Sequence, residues 1–117
     1  MKLNMDIVRS LLLQIEEETT LDHTILFEKS ETNSDTFYAL LKLKEAGYIN
    51  SIDTNAWGGI VQVEVKSLTY EGHKFLDTIR DPKIYRETKN TVKKFGSVSL
   101  DIFSKVAAQI LKDQLGI

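Results

Sequence analysis

The chain has 117 residues, 42% hydrophobic and 27% charged, an ordinary composition for one domain that buries a core without staples. It contains no cysteine, which excludes a disulfide framework and any thiolate site for zinc or an iron–sulfur cluster, and makes a reducing cytoplasm the expected setting. The net charge of −2 gives no global basic field for nucleic acid. No apolar run approaches the roughly 20 residues that span a bilayer, and the first residues lack a signal-peptide shape, so no membrane role is expected.

Charge is spread unevenly. Residues 1–40 carry eight Asp/Glu against three Lys/Arg, a net of −5, whereas residues 82–117 carry seven Lys/Arg against three Asp/Glu, a net of +4. Such asymmetry points to an interaction surface or to ordinary solvated faces.

Ile7, Val8, Leu11, Leu12 and Ile15 recur at three- and four-residue spacing, which predicts a helix over about Met5 to Glu18 with Asn4 as cap. Thr24 to Phe27 reads as a short strand. Lys29 to Asn33 is polar and fits a turn or a stunted helix. A second helix is expected from Ser34 to about Ala46, with Asn33 or Ser34 as cap. Phe37, Leu40, Leu41 and Leu43 face inward, and Gly47 stands at the position after the cap. Tyr48 to Ile52 reads as a strand, Asp53 to Gly59 as a loop of turn formers, and Ile60 to Lys66 as an alternating strand, giving a hairpin.

Thr69 is the expected cap of the next helix, which Asp81-Pro82 ends. A further helix runs to about Lys94, with Ile84, Tyr85, Thr88, Val92 and Phe95 along one side. Gly96-Ser97 forms a turn. The last helix, about Ser99 to Leu115, lines up Leu100, Phe103, Ala107, Ile110 and Leu111.

This order implies an α+β, mainly α fold: a winged helix-turn-helix domain with a small antiparallel sheet and two extra C-terminal helices. The winged-helix domain is expected over residues 1–81, with a helical arm over 82–117 packed on the same domain. Leu68-Thr69-x-x-Gly72-x-x-Phe75, with Glu45-Ala46-Gly47-Tyr48-Ile49 ahead of it, resembles the YjcQ-like winged-helix family. Three further stretches resemble more closely a related family of bacterial and prophage proteins, a domain of unknown function. They are Met5 to Arg9, Glu71 to Asp81, and Gly96 to Asp101. The resemblance covers nearly the whole chain. It implies a fold, not an activity, and it assigns no catalytic or ligand residue.

Two functions fit. One is a DNA-binding protein or transcription regulator, prophage-associated by what that resemblance implies, in which the helix before the hairpin reads the major groove. Thr36, Tyr38, Lys42 and Lys44 on that helix and Trp57 on the wing are the candidate contacts. Asp35 and Glu45 on the same face, and a wing tip without Lys or Arg, fit phosphate poorly. The other is a protein-interaction module without DNA binding, with a homodimer seam through Leu100, Phe103, Ala107 and Ile110.

Lys83, Arg86, Lys89, Lys93 and Lys94 form a basic stripe. It fits a contact to phosphate or to an acidic partner, or else a solvated helix face. Trp57 either stands exposed as a contact or tucks under the hairpin. His23 and His73 have no neighbours at metal-ligand spacing, and Gly58-Gly59 lies between two strands and not between a strand and a helix. No enzyme, metal or cofactor is expected.

Overall fold

A computed structural model describes all residues, Met1–Ile117. The fold is α+β and mainly α: α1 (Met5–Glu18), β1 (Ile25–Glu28), α2 (Ser34–Glu45), β2 (Ile49–Ala56), β3 (Gly59–Leu68), α3 (Tyr70–Ile79), α4 (Pro82–Val92) and α5 (Leu100–Leu115). No helix is long and apolar enough to cross a membrane. The chain forms two compact units, Met1–His73 and Lys74–Ile117.

In the first unit, α1 starts where Asn4 Oδ1 accepts the backbone N–H groups of Asp6 at 2.9 Å and Ile7 at 3.3 Å. It buries Val8, Leu11, Leu12 and Ile15. α2 buries Phe37, Ala39, Leu40 and Leu43, while Leu41, expected inside, is only half-buried. The three strands form an antiparallel sheet in the order β1-β3-β2, with Val63 and Val65 of the central strand facing the core. Ile25 and Phe27 of β1 stand opposite Val65 and Val63.

The stretch 29–33 is a turn and holds no helix. Asn33 is the reason. Its side-chain amide donates to the Glu28 carbonyl at 2.7 Å and its Oδ1 accepts from Ser30 N–H at 2.9 Å, which closes the turn. Spent in this way, the Asn33 side chain makes no cap bond to α2.

The hairpin is longer than its composition predicts. Asp53, Thr54 and Asn55, which the sequence places in a loop, pair with Val63, Gln62 and Ile60. Only Trp57 and Gly58 remain between the strands, with φ of 56° and 82°. Positive φ at both positions is the type I′ pattern, whose twist matches that of the flanking strands. A register shift between Thr54 and Asn55 absorbs one extra residue of β3.

α2 ends in a Schellman motif. Gly47 (φ 79°) donates its N–H to the Lys44 carbonyl at 3.0 Å, and Tyr48 donates to the Leu43 carbonyl at 2.9 Å. The start of α3 locks onto this end. Thr69 N–H donates to the Tyr48 carbonyl at 3.0 Å, and its hydroxyl donates to the Gly47 carbonyl at 2.6 Å and accepts Gly72 N–H at 3.0 Å. A Cβ at Gly72 would lie 2.0 Å from the Tyr48 oxygen. The two glycine-containing motifs of the sequence therefore meet in one junction.

In the second unit, Phe103 of α5 packs edge-on against Phe75, with ring centroids 6.5 Å apart, and at 6.1 Å against Tyr85 of α4. Thr88 is fully buried, and its hydroxyl donates to the Ile84 carbonyl at 2.8 Å. Asp81 caps α4 through Lys83 and Ile84 N–H, with Pro82 at the first helical position. Phe95, expected on the apolar side, is exposed. Lys93–Phe95 tighten into a 3₁₀ turn, and at three residues per turn the ring rotates off the α-helical stripe.

Candidate functional site

On α2 the structure brings Tyr38, Lys42 and Glu45 together on one face. Lys42 Nζ lies 2.8 Å from Glu45 and 5.2 Å from the centre of the Tyr38 ring. The hydrogen bond to the Glu45 carboxylate holds the Lys42 ammonium above its ordinary pKa. Lys44 leaves this face and pairs with Asp53 of β2 at 2.8 Å. Asp53 is mostly buried, and its second oxygen has no hydrogen-bond partner. Thr36 is half-buried and lines a shallow depression with Ile7 and Ser10 of α1. Of the expected reading residues, both lysines are thus neutralised by acids in the same unit.

Trp57 stands fully exposed at the hairpin tip, so it does not tuck under the sheet.

The stripe on the second unit is different. Lys83, Arg86, Lys93 and Lys94 are exposed, and none of them forms an ion pair. Lys89 is half-buried, with its ammonium 5.5 Å from the centre of the Tyr85 ring. From Lys83 to Lys93 the helix rises about 15 Å at 1.5 Å per residue. Of the residues expected to form a seam on α5, Leu100, Phe103 and Ala107 are buried within the chain, and Ile110 is half-buried.

Two features had no signal in the sequence. A cavity of about 260 Å³ opens beside α2, lined by Met1, Lys29, Phe37, Tyr38, Leu41 and Ile60. Its walls come from positions as far apart as residues 1 and 60, and no local pattern joins them. A second hollow, of about 340 Å³, holds Glu16 and His73, with His73 Nδ1 3.9 Å from the carboxylate. No group of three or more His, Cys, Asp or Glu side chains is placed to hold a metal ion.

The family described as hypothetical protein, DUF2513, matches residues 2–99. The chain belongs to this family. An uncharacterized protein of Haemophilus influenzae is 33% identical over 121 residues, covering 98% of this chain and 99% of the relative. No solved structure matches. Membership of DUF2513 agrees with the resemblance to a family of unknown function and does not carry a YjcQ-like identity. The match takes in the Gly47–Gly72 junction, the hairpin and all of α4, and it ends just before α5.

Proposed function

We propose that the chain is a small winged-helix protein that binds duplex DNA as a regulator, holding phosphates with the exposed basic face of α4 and the 3₁₀ turn that follows it, and not with α2. The winged-helix part rests on element order: α1, β1, a turn, α2, then a hairpin with a two-residue tip in the place of a wing. In this reading the turn closed by Asn33 replaces the first helix of the helix-turn-helix, and the likeness to YjcQ-like proteins belongs to the same frame. The reading is of a binding protein without catalysis.

One observation carries the choice of surface. Lys42 and Lys44 each sit 2.8 Å from a carboxylate, whereas Lys83, Arg86, Lys93 and Lys94 have no acidic partner. A paired lysine must give up its carboxylate to meet a phosphate, so the exchange gains little. An unpaired cation neutralises a phosphate directly and releases a counterion.

Fluorescence anisotropy with a labelled random-sequence duplex at low salt tests this. The double changes Lys83→Glu/Arg86→Glu and Lys93→Glu/Lys94→Glu are each expected to weaken binding about tenfold or more. Lys42→Ala is expected to stay within about twofold of the unaltered protein, because it removes a charge that Glu45 already balances. The proposal fails if duplex does not bind at high micromolar protein, or if only the α2 change weakens it.

The second reading, a protein-interaction module, is favoured by the fully exposed Trp57. The α5 residues add little to it, since three of the four are already buried.

A further inference from the structure

Phe95 is the one exposed aromatic residue of the second unit, with 75% of its surface open to solvent. The rings of Phe75 and Tyr85 pack on Phe103, and Phe95 joins none of these contacts. A lone apolar side chain on a surface needs no explanation, but this one ends a run of cations. It directly follows Lys93 and Lys94, which are exposed and have no acidic partner. Lys83 and Arg86 stand exposed and unpaired on the helix before it. Residues Lys74–Ile117 carry nine Lys/Arg against five Asp/Glu, a net of +4, so this unit attracts a polyanion.

The local backbone keeps the ring among these charges. The 3₁₀ turn Lys93–Phe95 sets three residues in one revolution, so the two lysines and the ring fan out around the end of α4. Gly96 then turns the chain away at φ 78°, a conformation that glycine adopts without penalty, and donates its N–H to the Lys93 carbonyl at 3.2 Å. Neighbouring Cα atoms are about 3.8 Å apart, so a strand that follows the cations meets the ring at its next step.

Cations and ring ask for different parts of one ligand. The cations take phosphates, which any nucleic acid supplies. The ring takes the flat face of a base. Stacked, paired duplex covers that face on both sides, whereas an unpaired base presents it. An anionic lipid surface would satisfy the cations too, but it calls for a broad apolar face, and here one ring stands among four cations. The hairpin tip lacks the other half of the pattern: from Thr54 to Val61 no charged residue accompanies Trp57.

We infer that this end of α4 takes DNA that carries unpaired bases beside duplex, with Lys83, Arg86, Lys93 and Lys94 on phosphates and one unpaired base stacked on Phe95. The inference rests on the reading of α4 as the phosphate-holding face and adds the class of DNA that the face prefers. One such stack corresponds to about tenfold in affinity.

Fluorescence anisotropy compares a blunt duplex with two tailed forms of it. One tail has about ten thymidines, and the other has the same number of phosphates but no bases. The abasic tail matches the charge, so a difference between the tails reports the bases alone. The thymidine tail is expected to bind about tenfold tighter than the abasic one. Phe95→Ala, at an exposed position, brings the two tails to equal affinity, and Phe95→Tyr keeps the difference. Lys83→Glu/Arg86→Glu weakens all three DNAs. In a Trp57→Phe chain, Phe95→Trp places the sole indole at the site, and its emission is quenched by the thymidine tail and not by the abasic tail. Equal binding of the two tails while blunt duplex binds overturns this inference and leaves the duplex reading standing. A difference that survives Phe95→Ala overturns it as well. Phosphatidylserine vesicles that bind through Phe95, with the tails bound alike, assign the ring to lipid and overturn it. Failure of every DNA to bind rejects the duplex reading, and this inference with it.

Discussion

Gly72 lies in α3 with an ordinary helical backbone, and helix propensity alone says that alanine there should stabilise the protein by about 1 kcal/mol. The structure predicts the opposite sign. An added Cβ would lie 2.0 Å from the Tyr48 carbonyl oxygen and 3.0 Å from its carbon, and both are backbone atoms. That carbonyl cannot swing aside freely, because it accepts Thr69 N–H at 3.0 Å and belongs to the residue that closes the Schellman motif. Relieving the clash separates the start of α3 from the end of α2. It breaks the Thr69 N–H bond to Tyr48 and the 2.6 Å bond from the Thr69 hydroxyl to Gly47. Each such bond contributes about 0.5–1.5 kcal/mol net, and the overpacking adds about 1–3 kcal/mol. After the propensity gain, Gly72→Ala should lower stability by about 1–5 kcal/mol. Gly47→Ala is the control: its φ is 79° but nothing lies within 4 Å of the added carbon. Its cost comes from backbone conformation alone, about 1–2 kcal/mol. Urea unfolding followed by far-ultraviolet circular dichroism is the assay, since Trp57 is already exposed and its emission would not report unfolding. A Gly72→Ala protein as stable as the original, or more stable, would refute the account of this junction.

Other outcomes follow from the same geometry. Trp57→Asn should raise stability by about 1 kcal/mol in the same urea assay, because asparagine tolerates the left-handed conformation; an unchanged or lowered midpoint would contradict the strained tip. Lys44→Ala should cost about 1–3 kcal/mol, since it leaves the mostly buried Asp53 carboxylate without its partner, while Lys42→Ala should cost clearly less at its solvent-exposed pair. Equal costs for the two lysines would show that burial of Asp53 does not matter. Asn33→Ala should cost about 1 kcal/mol by opening the 28–33 turn, and amide exchange at Ser30 should speed up; unchanged protection there would argue that Asn33 is not the closure.

Much of the frame is legible in the sequence because it is local. Asn4, Thr69, Asp81 and Ser99 announce helix starts, and each caps the helix that follows. Gly47 marks the end of α2 because its φ of 79° is the one that a helix end requires. The sequence predicts a shorter hairpin because Asp53 and Asn55 are turn formers by propensity. Cross-strand pairing with Val63 and Ile60 outweighs that preference. Phe95 fits a 3.6-residue stripe only if the α-helix continues, and the 3₁₀ turn ends that periodicity. The surface chemistry was less legible. Lys44 looks free from its helix position, and its partner Asp53 is reached only once β2 folds back beside α2. Trp57 leaves two readings open in the sequence, and its full exposure at the tip decides between them.

The salt dependence of duplex binding tests the central claim most directly. With the four cations Lys83, Arg86, Lys93 and Lys94 on phosphates, the logarithm of the binding constant should fall against the logarithm of salt with a slope of about −4. The slope should drop to about −2 when Lys93 and Lys94 are both changed to alanine, and stay near −4 for Lys42→Ala. A slope near zero, or one that Lys42→Ala reduces and the Lys93/Lys94 change does not, would contradict the assignment of α4 and the 3₁₀ turn after it as the phosphate-holding face.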